Sequence, residues 1–244
     1  MRVAILTDIH SNLPALEAVL EQIEQAGLET RWCLGDVVGY GAQPDECARL
    51  TAERCDLCLV GNHDLAVTGE IDTDVFSASA AAAVTWTREN CDKATIDFLK
   101  GLEPKNTDRE VGLYHASPRD PVWEYVLAVD QAQECMAEQS ARVSLIGHSH
   151  VALFFTDPGG EAEAQGGQAP EGHELDLSEG LWLLNPGSVG QPRDGDARAA
   201  WMELDTDDWT ASYHRVEYDV DRAAAAIREA GLPDLLASRL YVGQ

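Results

Sequence analysis

Met1-Arg2-Val3-Ala4-Ile5-Leu6-Thr7-Asp8-Ile9-His10 opens the chain with an unbroken apolar run that stops at an acid and an imidazole. Residues 2–7 read as a strand buried on both faces, because the run does not alternate with polar residues. Asn12 then caps a helix whose Leu13, Leu16, Val19, Leu20 and Ile23 form one apolar face, and Gly27 ends it. The unit repeats: Arg31–Leu34 reads as a strand, Pro44 to Arg54 as a helix and Leu57–Val60 as a third strand. Strands alternating with helices predict a parallel sheet with helices on its faces.

Farther along, the Ala-rich stretch from Asp74 to Leu99 predicts one or two helices. Val111–Tyr114 and Val143–Ile146 predict strands, with a helix near residues 130–140 between them. The rhythm then changes. Val151–Phe155, Leu181–Leu184, Ala199–Leu204 and Trp209–Val216 read as strands joined by turns, before a helix from Val220 to Ala230. A second sheet packed on the first, within one domain over residues 1–244, is the expectation. Residues 157–180 carry two Gly-Gly pairs and seven acids without a Lys or Arg. A mobile hairpin tip is expected there, and its His173 is not counted as a ligand.

Composition narrows the function. Hydrophobic residues make up 45% of 244, enough for a substantial core, and 43 acids against 17 bases give a net charge of −26. Such a surface repels nucleic acid and anionic membranes, so an anionic substrate needs a local positive charge such as a metal. No apolar run approaches the ~20 residues of a membrane span, and the N-terminal run does not resemble a signal peptide; a soluble cytoplasmic protein is expected. The six cysteines have no framework spacing, and the lone Cys55-Asp56-Leu57-Cys58 reads as reduced thiols in a core.

The informative pattern lies just past the strands. Asp8-Ile9-His10, Gly35-Asp36, Gly61-Asn62-His63-Asp64, His115 and Gly147-His148-Ser149-His150 each come directly after an apolar run. Carboxyl ends of parallel strands share one edge of a sheet, so these metal-competent groups are expected to converge in one crevice. Asp8/His10 and His148/His150, two residues apart, would point to the same side if the chain is extended. Glycines before Asp36, Asn62 and His148 would let the backbone turn beneath them.

In that order, DxH, GD, GNHD, a lone His and GHxH resemble the signature of calcineurin-like metallophosphoesterases. Asn185-Pro186-Gly187-Ser188-Val189-Gly190-Gln191-Pro192-Arg193 resembles the small prokaryotic phosphoesterases of that superfamily. The resemblance implies a four-layer α/β/β/α sandwich of two mixed sheets flanked by helices. It places one divalent metal on Asp8, His10, Asp36 and His150, and a second on Asp36, Asn62, His115 and His148, with Asp36 shared. Imidazole, amide and carboxylate donors suit transition ions, manganese first, with iron, cobalt, nickel or zinc as alternatives. A hydroxide bridging the pair would attack phosphorus in line.

The resemblance makes His63 the general acid, with Asp64 as its orienter or a turn cap. Asn62 and Arg193 would contact phosphate, and Tyr40 and Ser188 are candidates to line the pocket. The substrate implied is a small phosphomonoester or phosphodiester. Alternatives are a dinucleoside polyphosphate, or a metal-stabilised scaffold without turnover. Protein-phosphatase motifs GDxxDRG and RGNHE are absent, Gly35-Asp36-Val37-Val38-Gly39-Tyr40-Gly41 and Val60-Gly61-Asn62-His63-Asp64 standing in their places. That argues against protein substrates.

Overall fold

The first strand sorts its side chains between two cores. In the computed structural model, which describes residues 1–244, β1 (Arg2–Leu6) sends Ala4 and Leu6 toward the helices and Val3 and Ile5 toward a second sheet. The helical side holds α1 (Leu13–Gln25), capped by the Asn12 side chain on the Ala15 amide, and α2 (Pro44–Arg54), with proline in its first turn. Between them runs β2 (Thr30–Cys33), parallel to β1. The two-residue strand β3 (Leu57–Cys58) is parallel to β2 and shorter than the expected 57–60 run. A short helix that sequence periodicity missed, α3 (Asn62–Thr68), starts directly on the GNHD segment. The Ala-rich stretch is two helices, α4 (Ala78–Asn90) and α5 (Lys93–Leu99).

The second sheet is built from β4 (Lys105–Asn106), β5 (Val111–Tyr114), β6 (Val143–Leu145), β7 (Ala152–Asp157), β8 (Gln165–Gln168) and β10 (Leu181–Pro186), with α6 (Val129–Glu138) on its outer face. Its order is β4-β5-β6-β10-β7-β8. The first sheet runs β3-β2-β1-β11-β12-β9, adding β9 (Glu174–Asp176), β11 (Ala199–Asp205) and β12 (Thr210–Val216). Both sheets mix parallel and antiparallel pairs. Val111, Leu113, Val143, Leu145 and Leu184 meet Val3, Ile5, Trp32 and Leu204 in the dry layer between the sheets. Helices, sheet, sheet and helix make the α/β/β/α sandwich.

The chain ends in α7 (Val220–Glu229), α8 (Asp234–Ser238) and a 3-10 turn (Arg239–Tyr241). These pack on α4 and on Tyr40 through Ala80, Ala83, Ile227 and Leu240.

Residues 157–180 carry two short strands: β8 pairs antiparallel with β7 as a hairpin at one edge of the second sheet, and β9 pairs with β12 at the edge of the first. The Gly166 backbone lies so close to Phe155 that a Cβ would come within 2.2 Å of that ring, so glycine there is a packing requirement. His173 stacks on Phe154 with ring centroids 5.0 Å apart, away from the strand-end crevice.

Candidate metal centre

The loops after β1, β2, β3, β5 and β6 open at the same end of the sandwich, and backbone bonds lace them together. Asp8 N donates to Gly35 O, His10 N to Asp36 O, Gly147 N to His115 O and Gly190 N to Asp8 O. The loop residues are not extended, which corrects the period-two argument. Asp8, His10, Ser11, Asp36, Tyr40, His148 and His150 all have φ between 49° and 63°, and Trp209 is the chain's one other non-glycine with positive φ. Each such residue costs about 1–2 kcal/mol, a strain that clusters where side chains must be aimed. Of the three glycines expected to turn the backbone, Gly35 does so, with φ +99°. At Gly61 the demand is close approach, because a Cβ there would lie 2.1 Å from Asp36 Oδ1.

Five of the ligand candidates are held from behind and left free in front. Asp8 Oδ2 accepts from Thr7 Oγ1 at 2.9 Å and His148 N at 3.0 Å; Asp36 Oδ1 accepts from His63 N at 2.9 Å. Asp8 Oδ1 and Asp36 Oδ2 are buried without a partner. His10, His115 and His150 donate from Nδ1 to the carbonyls of Val38, Leu34 and Gln191 at 3.0, 2.9 and 2.7 Å. That fixes the tautomer and leaves Nε2 as a lone pair facing inward. His148 Nε2 is also buried and unpartnered.

These lone pairs face one another. His10 Nε2 lies 3.1 Å from His150 Nε2 and 3.5 Å from Asp36 Oδ2, and His150 Nε2 lies 3.4 Å from Asp8 Oδ1. His115 Nε2 lies 3.6 Å from Asp36 Oδ2 and 3.3 Å from Asn62 Oδ1. With both Nδ1 protons committed to carbonyls, the facing Nε2 lone pairs of His10 and His150 repel unless a cation sits between them. Bonds of about 2.0–2.2 Å put neighbouring ligand atoms about 3.0–3.5 Å apart in octahedral or tetrahedral shells, which these spacings match. Two groups could each hold an ion: Asp8, His10, Asp36 and His150, and Asp36, His115 and His148, sharing Asp36.

Electrostatics agree. Burial pushes the Asp8 carboxyl up to about 7 and raises Asp36 well above the usual carboxylate range, the Asp64 charge adding to the latter. Burial lowers the imidazoles of His10, His148 and His150 well below the ordinary value. Without a cation the pocket disfavours the charged form of all five groups.

Asp64 does not orient His63. Its carboxylate accepts from the amides of Gly61, Val37 and Val38 at 3.0, 3.2 and 3.0 Å, tying the Asp36 loop to the N-terminus of α3. His63 Nδ1 has no partner and lies against Gly39, where a Cβ would sit 2.6 Å away. The ring packs between Tyr40 and Phe76, with centroids 4.3 and 4.9 Å apart. Ser188 is a brace, donating to Asp8 O and accepting from Gln191 N, both at 2.8 Å. Asn185 joins the Gly147 carbonyl and Ser149, so the NPGSVGQPR segment buttresses the ligand loops.

A cleft of about 340 Å³ opens over the cluster, with Tyr40, Asn62, His63, Trp123, His148 and Arg193 in its lining. Arg193 bonds Gln191 Oε1 at 2.9 Å, lies 5.6 Å above the Tyr40 ring and leaves Nε unpartnered. Sequence reasoning missed the aromatic lining, because Phe76, Trp123 and Tyr125 sit in loops without a motif. The Cys55–Cys58 pair carries free thiols and belongs to neither ligand group.

The whole chain has close relatives. It is 36% identical to the uncharacterised protein MJ0912 of Methanocaldococcus jannaschii, over 99% of this chain and 98% of that one. A crystal structure of a metallophosphoesterase from Sphaerobacter thermophilus superposes with a TM-score of 0.90 at 36% identity, covering 100% of this chain and 99% of that one. The hypothetical protein PH1004 of Pyrococcus horikoshii shares the fold, with a TM-score of 0.80 at 20% identity and coverage of 100% and 98%. Residues 1–207 match the calcineurin-like phosphoesterase superfamily domain. With that match laid over the strand-end cluster, the chain belongs to the calcineurin-like phosphoesterase superfamily.

Proposed function

We propose that this protein hydrolyses a small phosphomonoester or phosphodiester at a centre of two divalent transition ions, manganese being the first to test. The observation that carries this is the set of opposed, proton-free lone pairs around the orphaned oxygens of Asp8 and Asp36. Asp8, His10, Asp36 and His150 would hold one ion; Asp36, Asn62, His115 and His148 the other. Bound there, two such ions supply the positive charge that draws a phosphoryl group and acidifies the attacking water.

The chain's own residues do the rest. Arg193, over the face of the Tyr40 ring in the cleft lining, clamps a phosphoryl oxygen. His63 protonates the leaving oxygen from Nε2, the ring nitrogen that does not lie against Gly39. Burial and the Arg193 charge hold its imidazole well below the ordinary value. An arriving phosphate brings opposite charge beside it and restores its proton affinity. Asn62 contacts the same oxygens. Trp123, Phe76 and Tyr40 keep water from the leaving-group side.

Turnover of p-nitrophenyl phosphate and its bis ester by manganese-loaded protein tests this, the preferred ester naming the reaction. His63→Ala is expected to reduce turnover by about 100-fold or more while sparing both ions. Absence of turnover with two ions bound would overturn the catalytic reading, and loss of metal in the variant would overturn the role given to His63.

A further inference from the structure

The cleft has a second guanidinium that the catalytic residues do not use. Arg239 lies in the 3-10 turn after α8, beyond the matched superfamily domain, yet it lines the same cleft as Arg193 and His63. Its Nε donates to the Gln244 main-chain oxygen, and its two terminal nitrogens make no hydrogen bond. Neither arginine pairs with an aspartate or glutamate, and the two line one cleft in a chain where acids outnumber bases 43 to 17. Two half-buried guanidiniums on one wall concentrate positive charge there, which suits an anionic ligand.

The lining says more. The cleft runs past His63 and Arg193, which would hold the phosphoryl group, to Phe76, Trp123, Tyr125 and Arg239. The remaining room is bounded by rings. Phe76 meets Trp123 edge to face at 5.5 Å, and Tyr125 lies over His148 at 4.1 Å and is 45% exposed at the rim. Planar walls beside a free guanidinium suit a flat group that carries an anion.

Resting on the phosphoesterase reading, we propose that Arg239 is a specificity-determining residue that binds a second anionic group, so that the substrate is a phosphoester whose alcohol portion is a planar ring bearing a further negative charge. Arg193 holds the reacting phosphoryl group; Arg239 holds the distal anion. The C-terminal helices, packed on α4 and Tyr40, fix the separation between the two.

The test compares phenyl phosphate with its 2-, 3- and 4-carboxyphenyl counterparts on the metal-loaded full chain, with Arg239→Gln and Arg239→Lys as variants. At least one carboxylated ester is expected to exceed phenyl phosphate in kcat/KM by about tenfold, the worth of one charge-assisted hydrogen bond. In Arg239→Gln that ratio falls to within about twofold, and Arg239→Lys, which keeps the charge and loses the fork, falls between. Calorimetric binding of benzylphosphonate and its carboxylated analogues, which are not hydrolysed, gives the same comparison without turnover. A charge preference in binding without hydrolysis would sustain Arg239 and sink the catalytic reading. Equal handling of charged and uncharged compounds by the unmodified chain, or the same ratio in Arg239→Gln, would overturn the assignment.

Discussion

Replacing Asp64 by Asn separates a brace from a catalytic partner. The carboxylate accepts three buried amides: Val37 N and Gly61 N on Oδ2, and Val38 N on Oδ1. An asparagine with its oxygen in the Oδ2 position keeps two of these bonds but makes them neutral, and it turns an NH2 toward the Val38 amide. Demoting two charge-assisted bonds costs about 1 kcal/mol each and the unsatisfied Val38 amide about 1–3, so about 3–5 kcal/mol in all. For a protein of this size that lowers Tm by roughly 6–20 °C. Denaturant unfolding at fixed metal concentration measures the loss. Because the tied segments, the loop after β2 and the start of α3, carry Asp36 and Asn62, metal affinity drops with stability, while the shape of the pH–rate profile is retained. A loss under 1 kcal/mol together with a displaced acid limb would refute the brace and return Asp64 to His63.

Three other outcomes are expected. Asp36→Asn removes the acceptor common to both ligand groups, so mass spectrometric metal analysis should find one ion or none per chain; two retained ions would show that the groups do not share it. Asp8, pushed up to about 7, keeps its proton below neutrality in metal-free protein, and burial shifts Asp36 upward in the same sense, so an ion must displace a proton, whereas the lowered imidazoles offer none. Metal affinity therefore falls by about tenfold per proton for each pH unit below 7, with proton release visible by calorimetry in buffers of different ionisation enthalpy; a flat profile from pH 7 to 5 contradicts this. Gly39→Ala brings a methyl against His63 Nδ1 at a φ of +91°, and should reduce turnover by about tenfold or more with metal content intact; unchanged kinetics would mean the ring position does not matter.

Much of this was legible in the chain. Unbroken apolar runs announced the parallel strands, and their abrupt ends in Asp8, Asp36, Asn62, His115 and His148 identified the edge where the ligand groups meet. The conformation of those ends was not legible. Period-two logic holds for a strand, but Asp8, His10, His148 and His150 lie past the last ladder bond, where loop-to-loop bonds choose left-handed backbone instead. Asp64 was ambiguous because a carboxylate one residue from a histidine looks the same whether it faces the ring or the amides. β8 was hidden because Gln165-Gly166-Gly167-Gln168 has no strand propensity; its place comes from pairing with β7 and from the room Phe155 needs. The cleft's aromatic wall and Arg239 come together through tertiary packing alone.

The Gly-rich acidic passage between β7 and β10 leaves a mark on how the molecule keeps company with its own copies. It supplies the outermost strand of each sheet, four residues in one and three in the other, so no long unpaired ladder faces solvent at that end. Glu161, Glu163, Glu174, Asp176 and Glu179, all exposed, lie in or near those short strands and carry like charge. A neighbouring molecule arriving edge-on finds few free amides and a repulsive fringe, so crowded solutions of this protein should resist fibrillar association for as long as that fringe stays ionised.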